Sequence, residues 1–165
     1  MGCIDRIDHS EHLVMLAFHY ADEIKGFSKL QKIIYLLQKE SMLFNEYIDR
    51  RMFKFSNSRV GPICVDLYFD VEFHINMDRV ETVDIEKDPL DHRELMYFYK
   101  YTILFDIIDK YDNKSLKTNG DGKKLGKELE QLVDDKYLID FKRLVQEYNS
   151  MSLREILNYI GSRYL

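Results

Sequence analysis

Apolar positions recur at helical spacing over much of the chain. From Ser10 to Ile24, Leu13, Val14, Leu16, Ala17, Phe18, Tyr20, Ala21 and Ile24 follow a three-to-four residue period. Ser10 stands where an N-cap is expected, and Gly26 where a helix stops. Ser28 opens a second helix with Leu30, Ile33, Ile34 and Leu37 on one face, and with Lys29, Lys32, Lys39 and Glu40 outward. Met52–Phe55 alternates briefly and predicts a short extended stretch, followed by a turn at Asn57-Ser58-Arg59. Gly61-Pro62 is the sharpest punctuation in the chain. A proline at a first helical position has its φ preset and forfeits only an N–H that would be unpaired there. A third helix is therefore predicted from Pro62 to Asn76, buried along Ile63, Leu67, Val71 and Ile75.

The period then changes. Arg79–Ile85 and Leu95–Leu104 are rich in β-branched and aromatic residues and predict a hairpin. Asp109–Lys123, largely polar and broken by Gly120 and Gly122, reads as a linker. Three helices follow, Leu125–Asp134, Tyr137–Tyr148 and Ser152–Arg163, the last opened by a capping box of Ser152 and Glu155. The class is mainly α with a small β-hairpin, α+β. Helix, helix, short strand, helix, hairpin is the order of a winged-helix domain, the hairpin being the wing. The expected organisation is a winged-helix-like core over 1–108, a linker over 109–124 and a helical extension over 125–165 packed on that core.

At 165 residues the chain suits one domain with an appendage. Two cysteines, Cys3 and Cys64, cannot form a disulfide framework and imply reduced thiols. No basic-then-apolar leader opens the sequence, and no apolar run reaches about 18 residues, so a cytoplasmic protein outside the membrane is expected. Met1-Gly2-Cys3 faintly suggests a lipidation start, but Arg6 occupies the position that calls for Ser or Thr.

The sequence around these elements resembles a known family. Lys29-Leu30-Gln31-Lys32-Ile33-Ile34-Tyr35 is similar to the K-L-Q-K-hydrophobic-hydrophobic-Y helix of the YwgA-like family, related to Panacea or SocA-type antitoxin domains. Phe53-Lys54-Phe55, Gly61-Pro62, Leu67-Tyr68-Phe69-Asp70 and the tail Leu157–Tyr164 resemble that family's further landmarks, in order. The resemblance implies a prokaryotic winged-helix-like protein with a helical C-terminal extension, acting as an antitoxin, proteolytic adaptor or regulator. The chain departs from the pattern at Ile63-Cys64, where an aromatic and Ser are usual, and at Gly161.

Motifs for chemistry are sparse. Gly122-Lys123-Lys124-Leu125-Gly126-Lys127 lacks phosphate-loop spacing, and Glu128 stands where Ser or Thr would hold Mg²⁺. His9, His12 and His19 carry no metal-site grammar. No nucleophile elbow or Cys-His pairing occurs. The expectation is a non-enzyme with no catalytic residues, metal, cofactor or small-molecule substrate.

Charge then separates two kinds of partner. Residues 62–113 carry 13 acidic and 5 basic side chains, while both flanking segments are slightly basic. No Arg or Lys lies between Pro62 and Asp78, although Arg and Lys make the commonest base contacts and neutralise phosphates. The predicted outward residues of the third helix are Asp66, Asp70, Glu72, His74 and Asn76. A protein-binding face is expected on this helix and the wing, with Asp66, Asp70, Tyr97 and Tyr99 as candidate contacts to a protein partner or a second copy. The alternative is a DNA-binding regulator using a basic patch of Arg50, Arg51, Lys54 and Arg59.

Overall fold

In a computed structural model, the described residues are 7, 9–48, 52–58, 61–84, 111 and 114–165. The chain is mostly helical with a small antiparallel sheet, an α+β arrangement. The helices are α1 (Ser10–Ala21), α2 (Phe27–Glu40), α3 (Val65–Asn76), α4 (Gly120–Glu130), α5 (Asp135–Ser150) and α6 (Leu153–Tyr164). The strands are β1 (Glu23–Lys25), β2 (Ser56–Ser58), β3 (Gly61–Ile63), β4 (Val80–Asp84) and β5 (Lys114–Thr118). One π-helical turn, Leu43–Tyr47, follows α2.

Helix α1 is the hub. Every residue from His12 to Phe18 is buried, because α1 packs against α3, α4 and α5. A helix buried around its circumference needs apolar residues on every face, and this one places them there. It stops at Asp22, whose positive φ of 64° ends the turn while its N–H still reaches Phe18 O. The expected run to Ile24 is therefore cut short: Ile24 lies in β1, and Gly26 (φ 97°) joins β1 to α2.

Helix α2 is more deeply covered than its pattern predicts, because β3, α5 and α6 pack on it. Three polar residues assigned to its outer face are structural. Lys32 is buried and donates to Pro62 O at 3.0 Å, while Lys29 donates to Asn149 O at 2.7 Å. Glu40 accepts hydrogen bonds from Tyr148 and Tyr159 Oη at Oε1 (2.8 and 2.6 Å) and from Tyr164 Oη at Oε2 (3.0 Å). Gln31 donates to Cys64 O at 3.4 Å. The Lys29-Leu30-Gln31-Lys32 motif thus ties α2 to the end of α5 and to the entry of α3.

Two local expectations shift for identifiable reasons. Met52–Phe55 forms no strand, because the Gln38 side-chain amide takes both backbone groups of Phe53, accepting its N–H (3.0 Å) and donating to its carbonyl (2.8 Å). The strand lies just after it, over Ser56–Ser58, where a turn is predicted. Pro62 does not open α3. It lies in β3 opposite Asn57, and the helix begins at Val65 behind Cys64. Pro62 lacks a ladder donor, which a two-stranded ribbon tolerates, and its carbonyl is engaged by Lys32.

The sheet runs β1–β5–β4, all antiparallel, with Val80 opposite Thr118 and Ile24 opposite Leu116. Its central strand falls inside the stretch read as a linker. Ser115 and Thr118 are buried yet bonded, to the Glu23 carboxylate and to Phe18 O respectively, so the strand tolerates polar residues inside. The expected second wing strand, Leu95–Leu104, lies outside the described residues. Asn119 caps α4 by accepting from Gly122 N, and α4 begins five residues earlier than predicted. Ser152 caps α6 as expected, its Oγ accepting from Glu155 N at 3.1 Å.

Candidate functional site

Three side chains anchor the inner face of α3, and they determine what its outer face presents. Leu67, Val71 and His74 are fully buried against the core. His74, predicted to point outward, is instead inside. Its Nε2 donates to Glu11 O at 2.7 Å, which leaves Nδ1 as the acceptor facing Arg79 at 3.5 Å. Burial above all, with Arg79 and His12 nearby, lowers its pKa to about 4, so it is a neutral core imidazole at pH 7.

The carboxylates of α3 divide into two groups. Asp70 is half-buried and accepts from Ser10 Oγ at 2.7 Å. Burial, aided by Glu11 and Asp66, raises its pKa to about 6 against the opposing Ser10 bond. Glu72 accepts from Tyr68 Oη (2.7 Å) and from Tyr111 Oη, so it fastens Tyr111 to the helix. Asp66 and Asp78 are exposed. Of the two helix carboxylates proposed for partner contact, Asp66 is thus displayed and Asp70 is a tie to α1.

Sequence reading missed an apolar row between these acids. Val65 (40%), Phe69 (61%), Phe73 (38%) and Met77 (50%) are exposed and recur every four residues. Residues at i, i+4 and i+8 form a ridge along a helix, the element that interdigitates with grooves of another helix. Two aromatic rings of this size on one exposed ridge are unusual for surface left to water, where large apolar patches are few. Arg79 lies over the Phe73 ring at 5.5 Å, a cation–π contact that holds the ring edge of the row. The signal was available: the four-residue period of 65, 69, 73 and 77 runs beside that of 63, 67, 71 and 75, and both are apolar. The buried stripe was recognised and the parallel one was not.

Tyr97 and Tyr99 lie outside the described residues, as do Arg50, Arg51 and Arg59. Lys54 is exposed. No group of three or more His, Cys, Asp or Glu among the described residues could hold a metal ion. Cys64 is buried at the start of α3, and that burial pushes its thiol pKa up, the opposite of activation. No helix among the described residues is long and apolar enough to cross a membrane.

Asp70 and His74 stand one turn apart and give opposite pH dependences. Asp70 has a folded pKa above its unfolded value, so its effect favours the folded state below about pH 4 and fades as pH rises through about 6. His74 has a folded pKa below its unfolded value, so its stabilising effect is present above about pH 6.5 and is lost as pH falls toward 4. Over this window the two oppose each other. Asp70→Asn removes the compensating group, and urea denaturation at pH 4.5, 5.5 and 6.5 should show a steeper loss of stability on acidification than in the unmodified chain. Parallel profiles would refute the assignment.

Comparison with protein-family models, with curated proteins and with solved structures found no match.

Proposed function

We propose that this chain is a non-enzymatic, winged-helix-like regulatory module of the cytoplasm that acts by binding a protein partner, in the manner of an antitoxin or adaptor. The exposed apolar ridge Val65-Phe69-Phe73-Met77 carries this reading, because exposed Phe and Met favour protein contacts over solvent. The winged-helix reading draws support from the element order. Helices α1, α2 and α3 precede β4 and β5, and the short β1 joins those two strands in one sheet beside β5. Fold by itself says little of function. The helix that reads DNA in such domains presents acid and aromatic rings here, which repel phosphate and lack the donors that read bases.

The test uses Phe69→Ser combined with Phe73→Ser, both on the exposed ridge. Proteins enriched by the tagged chain from its source cells are quantified by mass spectrometry beside this variant, with thermal unfolding as the folding control. Partners that bind through α3 should fall at least fivefold in recovery. An unchanged enriched set, or tight salt-dependent binding to duplex DNA that Lys54→Glu weakens, would reject the reading in favour of DNA.

A further inference from the structure

We infer that the partner segment seated on α3 is a basic amphipathic helix, with apolar residues in the groove beside the ridge and Lys or Arg along its margins. This rests on the reading of α3 as a protein-binding face and specifies what that face takes. Two observations carry it, the geometry of the ridge and the sign of its surroundings.

The ridge sets the shape. Four apolar side chains at a strict four-residue period lie along an i±4 row inclined to the axis of α3, from Val65 in its first turn to Met77 just past its end. Such a row packs into the complementary groove of a second helix, with axes crossing at about 50° in the commonest class. The partner thus offers its own apolar residues at i, i+3 or i+4 and i+7, as amphipathic helices do when they lie on a protein surface.

The margins set the charge. Six acidic side chains and one basic side chain lie between Pro62 and Asp84. The basic one, Arg79, is already placed over Phe73 and toward His74. Asp66 is exposed on the helix itself, Asp78 follows Met77 at its end, and Glu81 is exposed on the adjoining β4, whose Asp84 is already paired with Lys114. A second copy of this chain docked ridge to ridge would bring this acid against itself, and like charges across an interface suppress association. Duplex or single-stranded nucleic acid is excluded from the face by the same sign. A cationic helix is attracted by these carboxylates, and the attraction acts over roughly 8 Å in physiological salt.

The experiment uses the full chain and two synthetic helical peptides with the same apolar positions, one bearing Lys and Arg at the margins and the other Glu. Binding is followed by fluorescence anisotropy at low and high salt. The basic peptide is expected to bind at least tenfold more tightly than the acidic one and to weaken as salt rises. Phe69→Ser should reduce its affinity at least tenfold, and Asp66→Lys with Asp78→Lys, both at exposed positions, several-fold. Equal binding of the two peptides, lost in Phe69→Ser, overturns the charge assignment and leaves the interaction face standing. Binding that ignores Phe69→Ser removes the face itself. A dimer in sedimentation that Phe69→Ser dissociates overturns the inference in favour of a second copy.

Discussion

Gly126→Ala should destabilise the protein by about 3 kcal/mol, although alanine is the better helix former by about 1 kcal/mol. The reason is where α4 meets α1. A Cβ at position 126 would stand 2.3 Å from His19 Cγ and 2.6 Å from His19 Cβ. The second of these atoms is fixed to the α1 backbone, so rotating the imidazole does not clear the space. One helix must move, and α1 is the hub on which α3, α4 and α5 converge. The displacement also strains the contact of His19 Nε2 with Glu130 at 3.0 Å. For a chain of this length, a loss of about 3 kcal/mol lowers Tm by roughly 6–12 °C. Gly161→Ala is the control. It sits within α6 with open space around it, and the same substitution there should leave Tm unchanged or raise it slightly. If the two variants melt together, α4 does not approach α1 as described.

Glu40→Ala is the second large effect, again about 3 kcal/mol, and its signature is local. The Glu40 carboxylate gathers three tyrosine hydroxyls from two helices, one of them, Tyr148, buried. Burial first, and then the carboxylate, pushes the Tyr159 hydroxyl up to about 12 and raises that of Tyr148 as well. Both therefore stay protonated donors at any physiological pH. Removing the acceptor strands the buried Tyr148 hydroxyl, at about 1–3 kcal/mol, and releases two half-buried bonds of about 1 kcal/mol or less each. Lys39, set 5.8 Å over the Tyr164 ring, loses its neighbour as well when α6 lifts. Hydrogen exchange should accelerate across Leu153–Tyr164 before it does so in α1, because α6 opens without the core. Glu40→Gln retains one acceptor oxygen and should fall between. Uniform exchange across all helices would mean that the carboxylate is not the latch for α6.

What could be read from the residues depended on whether polarity reported exposure. Where it did, the elements were legible: α2, α3, α5 and α6 lie within a few residues of their expected bounds, since their apolar stripes face a partner. Where a polar side chain was bonded inside, the reading failed. Lys32, Ser115, Thr118 and His74 all look solvated in a pattern, and each is buried with a specific partner. The same error hid β5, whose Lys-Ser-Leu-Lys-Thr sequence resembles a linker. Gly122 strengthened that impression, yet it is close-packed: an added Cβ would lie 2.3 Å from Arg79 O. A glycine at a backbone contact and a glycine in a flexible turn look alike until the neighbour is known.

The candidate face shows the converse limit. Periodicity identifies apolar rows but does not say which of two parallel rows is inside. On α3 the row through Leu67 and Val71 is buried and the row through Phe69 and Phe73 is displayed, a distinction that only the surrounding helices impose. Charge, by contrast, was read without a structure. The excess acid between Pro62 and Asp84 is a property of composition, and burial changes the role of Asp70 and Glu72 without changing its sign.

The position of β5 also sets a schedule for synthesis. Among the described strands, β1 and β4 are both made before their shared partner and do not pair with each other; each hydrogen-bonds to a strand that begins at Lys114. In a nascent chain β1 therefore waits for its partner from Lys25 until β5 is made, and β4 waits with it from Asp84 onward. Unpaired edges invite association with other chains, and pairings this distant in sequence close slowly. Production of this protein is consequently most exposed to aggregation before β5 has emerged from the ribosome.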